Sequence, residues 1–147
     1  MYDIENSVGF LLAKAYQRAW ALFKEEIDSY DITPPQFGLL AFLWQQDGLT
    51  QVELSEKSQV DRTTVGGLID RLEKGGLVER QPHPQDRRAY LIRLTVKGKE
   101  MEGPLTEVAH RVTSRFTAGL NQKDMDDLVR ILGTLRGERR IYEKPSY

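Results

Sequence analysis

Apolar residues recur at steps of three and four along most of this chain and at steps of two in one short central stretch, a pattern that predicts helices interrupted by a pair of strands. Ile4, Val8, Leu11, Leu12, Ala15, Ala19, Leu22, Phe23 and Ile27 form a stripe that predicts a helix from about residue 5 to 29. A helix this long needs a large surface to pack on, and a second subunit is one source of it. Thr33-Pro34-Pro35-Gln36 opens the next helix: Thr33 can cap free N–H groups, Pro34 suits the first turn and Gln36 can complete a capping box. Phe37, Leu40, Ala41, Leu43 and Trp44 are its predicted buried face, and Asp47-Gly48 its end.

Thr50-Gln51-Val52-Glu53 reads as another capping box, starting a short helix that buries Val52 and Leu54 and runs to about Lys57. Ser58-Gln59-Val60 is a tight connection to a helix capped by Asp61, whose core positions are Val65, Leu68, Ile69 and Leu72. Gly75-Gly76 supplies the left-handed stop. The period then changes to two. Residues 77–80 and 89–94 read as strands, joined by an exposed loop from Gln81 to Arg88 with two prolines and charges at its far end. Thr95 caps a long helix with Met101, Leu105, Val108, Val112 and Phe116 inward, which Pro104 should kink or break. Asn121 caps a last helix with the stripe Met125, Leu128, Val129, Leu132 and Leu135, and the segment from Arg139 to Tyr147 is a polar, fraying tail.

With 147 residues the chain has the size of one domain, and 39% hydrophobic against 29% charged residues indicates a soluble core-forming protein. No run is long enough for a membrane span, and the acidic start Met1-Tyr2-Asp3-Ile4-Glu5 lacks the layout of a secretory signal, so the cytoplasm is the expected compartment. The absence of cysteine removes disulfides, thiolate nucleophiles and cysteine–zinc sites, and two histidines, His83 and His110, are too few for most histidine metal sites. No nucleophile–base set, glycine-rich phosphate loop or metal motif is present, so neither an enzyme nor a cofactor is expected. Net charge is −1, but residues 61–100 hold 9 Lys/Arg against 6 Asp/Glu, whereas residues 1–60 hold 4 against 9. The basic part thus coincides with the short helices and the hairpin, a weak pointer to an anionic partner.

Two short helices joined by a tight turn and followed by a charged hairpin make a winged helix-turn-helix layout, mainly α with a small β wing. The helix after Asp61 is the candidate recognition helix, with Arg62, Thr63, Thr64, Gly66 and Gly67 as its expected exposed positions. An arginine can pair bidentately with guanine, and threonines offer hydroxyls and a methyl to bases or phosphates. Arg71 and Gln51 suit phosphate contacts. Each glycine inside a helix costs about 1 kcal/mol relative to alanine, so Gly66 and Gly67 answer either a close approach to DNA or close packing on another helix. Arg87 and Arg88 at a hairpin tip suit a narrow minor groove, with Asp86 holding the loop. Taken alone, such a loop is more often a solvated turn; following a helix-turn-helix at this distance, the wing becomes the favoured reading.

From Leu54 to Thr95 the chain resembles the MarR family of multiple-antibiotic-resistance regulators, through Asp61-Arg62-Thr63-Thr64-Val65, Leu68-Ile69-Asp70-Arg71-Leu72-Glu73-Lys74, Gly76-Leu77-Val78-Glu79-Arg80 and Asp86-Arg87-Arg88 leading to Leu94-Thr95. The resemblance implies about six helices, a homodimer joined through its first and last helices (residues 4–30 and 97–140), and a DNA-binding lobe over residues 33–96. It implies recognition of an inverted repeat in double-stranded DNA, with Asp61, Arg62, Thr63 and Thr64 at the major groove and the Asp86/Arg88 pair in the wing. Ser58, Gln59, Gly66 and Gly67 depart from residues common at these places, which puts the operator sequence in question but not the fold.

The resemblance further implies a repressor released by a small aromatic or phenolic effector held between the dimer region and the lobe. Tyr16, Trp20, Phe37, Leu40 and Trp44, with His110 and Arg111 as polar contacts, are the candidates, although aromatics at helical spacing more often belong to a core. The missing cysteine argues against a thiol-oxidation switch, and the two histidines argue against zinc sensing. The alternatives are a DNA-binding regulator without a ligand and a winged-helix module that binds protein.

Overall fold

The computed structural model describes residues 1–137; the tail expected from Arg139 onward lies outside them. Helix α1 spans Val8–Ile27, starting later than predicted because the Ser7 hydroxyl caps it by accepting from the Phe10 N–H. One 3-10 turn, Asp28–Tyr30, ends with Asp31 in the left-handed region and redirects the chain. Helix α2 (Pro34–Gln45) begins with the expected reciprocal box: Thr33 accepts from the Gln36 N–H, and the Gln36 side chain accepts from the Thr33 N–H. After it come β1 (Leu49–Thr50), α3 (Gln51–Ser58), α4 (Arg62–Lys74), the hairpin β2 (Val78–Pro82) and β3 (Tyr90–Leu94), then α5 (Val96–Glu100), α6 (Glu102–Phe116) and α7 (Gln122–Leu135).

The sheet has three antiparallel strands in the order β1-β3-β2, one more than the two predicted. The sequence pattern cannot show β1, since two residues have no alternation; its pairing of Leu49 with Ile92 joins positions far apart in the chain. In the hairpin, Val78 faces Leu94, Arg80 faces Ile92 and Pro82 faces Tyr90, with proline tolerated because β2 is an edge strand. The box at Thr50 also differs from expectation. The Thr50 hydroxyl accepts from the Glu53 N–H, but the Glu53 carboxylate returns to that hydroxyl rather than to a backbone N–H.

Stops and breaks fall where local chemistry places them. Gly76 (φ 74°) closes α4 in a Schellman motif, with the Leu77 N–H on the Leu72 carbonyl and the Gly76 N–H on the Glu73 carbonyl. The long helix capped by Thr95 divides at Met101, one turn before Pro104, whose ring would crowd the carbonyl of Glu100 and which has no N–H to bond it. Asn121 and Asp124 form a full capping box on α7.

The core gathers Ile27 from α1, Leu39, Leu40 and Leu43 from α2, Leu54 from α3, Val65, Ile69 and Leu72 from α4, Ile92 from β3, and Leu105 and Val108 from α6. Val52, expected inside, is half-buried. The larger correction concerns both ends of the fold. Val8, Leu11, Leu12, Tyr16 and Trp20 on α1 are exposed, and no residue of the α7 stripe is buried. The stripes are amphipathic as predicted, but the described residues of one chain do not cover them. No helix among the described residues is long and apolar enough to cross a membrane.

Candidate nucleic-acid interface

The turn between α3 and α4 is built by Gln59, which takes the left-handed conformation (φ 57°) where glycine is easier. Its N–H reaches the carbonyls of Glu56 and Ser55, and the Ser55 hydroxyl donates to the Val60 carbonyl across the turn. Asp61 then caps α4: one carboxylate oxygen accepts from the Thr64 N–H at 3.0 Å and the other from the Thr64 hydroxyl at 2.8 Å. The Thr64 backbone bond, reinforced by the Thr64 hydroxyl, holds the Asp61 carboxyl below the usual carboxylate range. The Thr64 hydroxyl proton is thereby committed to Asp61, leaving oxygen lone pairs and a methyl to face outward. Thr63 is exposed and its side chain carries no such bond among the described residues.

The two glycines of α4 divide between the readings left open above. A Cβ on Gly66 would sit 2.9 Å from the Gln51 side-chain nitrogen, so Gly66 makes room for a neighbouring helix. Gly67 has nothing within 4 Å of its added Cβ and presents bare backbone to open space. Gln51, expected at a phosphate, spends its side-chain N–H on the Arg62 carbonyl at 3.0 Å, tying the start of α3 to the start of α4. Arg71 is exposed as expected.

Arg62 is not on the outer face as predicted. It is half-buried, and its Nε is excluded from solvent without a hydrogen-bond partner among the described residues. As the first residue of α4, it lies against the wing, since helical side chains lean toward the N-terminus. There it lines a cleft of about 220 Å³ together with Thr50, Gln51, Arg80, Arg88 and Tyr90.

The wing tip is a hydrogen-bonded turn. Asp86 accepts from the Arg88 N–H at 2.9 Å, so it holds the loop as expected, but through the backbone of Arg88 rather than its guanidinium. His83, not anticipated, is the second organiser: its Nδ1 accepts from the Gln85 and Asp86 N–H groups at 3.0 and 3.1 Å. The sequence signal was available, as an acceptor two and three residues ahead of a turn is a familiar arrangement for aspartate and asparagine. Arg87 and Arg88 are exposed. Arg80, also missed, anchors the wing to α4 through Asp70 at 2.5 Å and Glu73 at 2.8 Å. Burial works against its charge, and the bonds and charges of Asp70 and Glu73 outweigh that, so its pKa is raised.

The effector candidates are not brought together. Leu40 is wholly in the core. Phe37 packs between Phe23 and Trp44 with ring centroids 5.0 and 5.9 Å apart, and the Trp44 indole N–H donates to the Gly98 carbonyl at 2.9 Å. Tyr16 and Trp20 adjoin each other on the exposed part of α1, at 6.1 Å. Tyr16 lines an apolar cleft of about 600 Å³ with Leu12, Phe116, Leu120, Leu128 and Leu132. His110 is exposed, and Arg111 reaches Glu26 at 3.5 Å. The separation has a simple cause: Phe37, Leu40 and Trp44 turn inward with α2, whereas Tyr16 and Trp20 lie on the part of α1 that the other described residues leave exposed.

A helix, a left-handed turn, a second helix with its N-terminus open and a hairpin held against that helix define the winged helix-turn-helix class. The model of the MarR family matches residues 32–90. The transcriptional repressor NicR of Pseudomonas putida is 33% identical over 120 residues, covering 82% of this chain and 76% of NicR. The solved structure of BpsR from Bordetella bronchiseptica, whose DNA binding is regulated by 6-hydroxynicotinic acid, has a TM-score of 0.88 at 30% identity and covers 94% of this chain and 99% of that one. A mutant of MarR from E. coli complexed with operator DNA has a TM-score of 0.83 at 28% identity, covering 91% and 99%. This chain belongs to the MarR family of transcription regulators.

Proposed function

We propose that this protein is a homodimeric, sequence-specific DNA-binding repressor that a small aromatic acid releases from an inverted-repeat operator. The observation that carries the reading is the juxtaposition at the wing: Arg62, the first residue of α4, lines one cleft with Arg88, and the same helix goes on to the exposed Thr63 and Thr64 and the bare backbone of Gly67. Thr63 and Thr64 are the base readers, Gly67 permits close approach, Arg71 neutralises phosphate, and Arg87 and Arg88 enter the minor groove from a tip held by Asp86. Asp61, Gly66 and Gln51 shape this surface from behind. Residues 33–96 form the DNA-binding lobe, and residues 4–30 with 97–140 form the dimer region; of the latter, 138–140 lie outside the described residues.

The repressor role is supported by NicR, a transcriptional repressor, and the aromatic-acid effector by BpsR with 6-hydroxynicotinic acid. Selection of duplexes with the purified protein tests the reading. It should return a pseudo-palindrome with half-sites about 10–10.5 bp apart, centre to centre. Small aromatic acids should then be screened for abolition of the complex. A single asymmetric footprint contradicts the dimer, and no affinity for any duplex at low salt contradicts the function.

A further inference from the structure

We infer that Asp61 sets the polarity of base reading at Thr64: with its hydroxyl proton turned to Asp61, Thr64 meets the major groove as an acceptor and selects an amino-bearing base, adenine or cytosine, over guanine or thymine. The inference rests on the duplex-binding reading above and deepens it at one contact. A threonine hydroxyl has a single proton and two lone pairs, so whatever holds the proton decides what the group can recognise. Thr64 donates it to one Asp61 carboxylate oxygen at 2.8 Å, while the other oxygen accepts from the Thr64 N–H at 3.0 Å. These bonds hold the Asp61 carboxyl below the usual carboxylate range, so at neutral pH it carries no proton to give back. The bond between the side chains therefore runs in one direction only. A hydrogen bond to an ionised acceptor is also stronger than one to a neutral base edge, so a duplex does not draw the proton away.

Thr64 stands where a duplex would meet this polarity. It is exposed, and Gly67 and Arg71 follow it at three- and four-residue steps, on the side of α4 away from the buried Val65, Leu68, Ile69 and Leu72. Gly67 adds no side chain to screen it. A backbone phosphate offers acceptors only, and so do the groove edges of guanine (N7 and O6) and thymine (O4), whereas adenine N6 and cytosine N4 each offer a donor. The exposed Asp61 carboxylate beside it adds negative charge, which further disfavours a phosphate or an acceptor-only edge. Thr63 is the contrast within the same turn. Its side chain makes no such bond among the described residues, so its proton stays available to a phosphate or a keto oxygen.

Binding titrations on the selected operator test this, with each base pair of a half-site replaced in turn by the other three. Wild type should hold adenine or cytosine over guanine or thymine by about tenfold at one position of one strand, the size of one hydrogen bond made or left unmade. Thr64→Val, nearly the same shape without the hydroxyl, should bring that preference within about twofold and leave the other positions unchanged. Thr64→Ser keeps the hydroxyl without the methyl and should retain the preference. Asp61→Asn should release the filter. Its amide oxygen stays on the Thr64 N–H, its NH2 group then faces the hydroxyl and donates to it, and the freed proton lets Thr64 bind guanine or thymine as well as adenine or cytosine. Should Thr64→Val melt early, the Thr64→Ser and Asp61→Asn profiles still decide, because lost stability does not change the base preferred at a single position. Four results would each overturn the inference: no such preference in wild type; equal weakening of the operator and a shuffled duplex by Thr64→Val, which makes Thr64 a phosphate contact; loss of the preference in Thr64→Ser, which makes the methyl the reader; or a wild-type profile in Asp61→Asn. If wild type itself binds no duplex, the duplex-binding reading falls as well; an overturning profile with normal wild-type binding removes the polarity at Thr64 alone.

Discussion

Among single residues, Gly66 and Gly67 are identical in type and neighbours in sequence, yet their surroundings give opposite expectations. Gly67 opens to space, so Gly67→Ala should gain helix propensity, raising stability by about 0.5–1 kcal/mol in chemical denaturation. It should also weaken operator binding, because the added methyl occupies the face left bare toward DNA. Unchanged affinity would show that no duplex approaches there. Gly66→Ala gains the same propensity but must displace the Gln51 amide from the Arg62 carbonyl, so its net gain should be smaller or absent. Asp61 makes a pH prediction of definite sign. Its carboxyl is held below the unfolded value of about 3.9. The charged cap therefore contributes fully above about pH 4 and loses its contribution as pH falls through the lower folded value. Asp61→Asn keeps a capping oxygen without the titration. The difference in thermal midpoint between wild type and Asp61→Asn should stay flat from about pH 7 to 5 and shrink below about pH 4. A difference that persists unchanged to acid would mean that the carboxylate is not linked to folding.

At the scale of the element, α5 docks closely against the sheet of the lobe. Gly98 lies against the edge of the sheet, where an added Cβ would overlap the Leu77 carbonyl oxygen and press on Leu94, while its own carbonyl takes the Trp44 indole N–H. The obstruction includes backbone that also accepts from the Thr95 N–H, so it cannot swing aside as a flexible side chain would. Gly98→Ala should destabilise by about 2 kcal/mol or more, at the upper part of the range for overpacking. Denaturation near the wild-type midpoint would show that α5 can lift away from the sheet without penalty. Nothing in the sequence pattern marks Gly98, and this is typical of what was and was not legible. The caps at Thr33, Asp61, Thr95 and Asn121, the stop at Gly76 and the break ahead of Pro104 were readable because each depends on groups within a few residues. β1, the Arg80 bridge to Asp70 and Glu73, and the direction of Arg62 were not, because each is decided by elements that meet only after folding. The His83 cap lies between these cases: it is local, but carried by a residue whose ring nitrogen is less often read as a turn acceptor.

For the whole molecule, the decisive feature is where apolar surface remains. Along α1 and α7, Val8, Leu11, Leu12, Tyr16, Val129, Ile131, Leu132 and Leu135 are exposed, and the cleft of about 600 Å³ between α1, α6 and α7 opens among them. Isolated exposed leucines need no explanation, but a continuous apolar face on two amphipathic helices does, and a second copy of the same chain offers matching helices. The interior side of α1 is meanwhile anchored within the chain: Arg18 caps the last carbonyls of α6, and Glu26 pairs with Arg111 and Arg115. The outward stripe can therefore change without unfolding the lobe. Leu12→Glu and Leu132→Glu each place a charge in that face, where pairing would bury it at a cost well beyond the about 1.5–3 kcal/mol that a buried leucine contributes. Both should sediment as monomers at concentrations where wild type is a dimer, with helical circular dichroism retained. Operator affinity should then fall by about 10²–10⁴, because two linked half-site contacts become one. A variant that stays dimeric would move the interface elsewhere. A monomeric variant that still binds the full operator with wild-type affinity would break the link between dimer geometry and recognition, since then one copy of α4 and its wing would suffice.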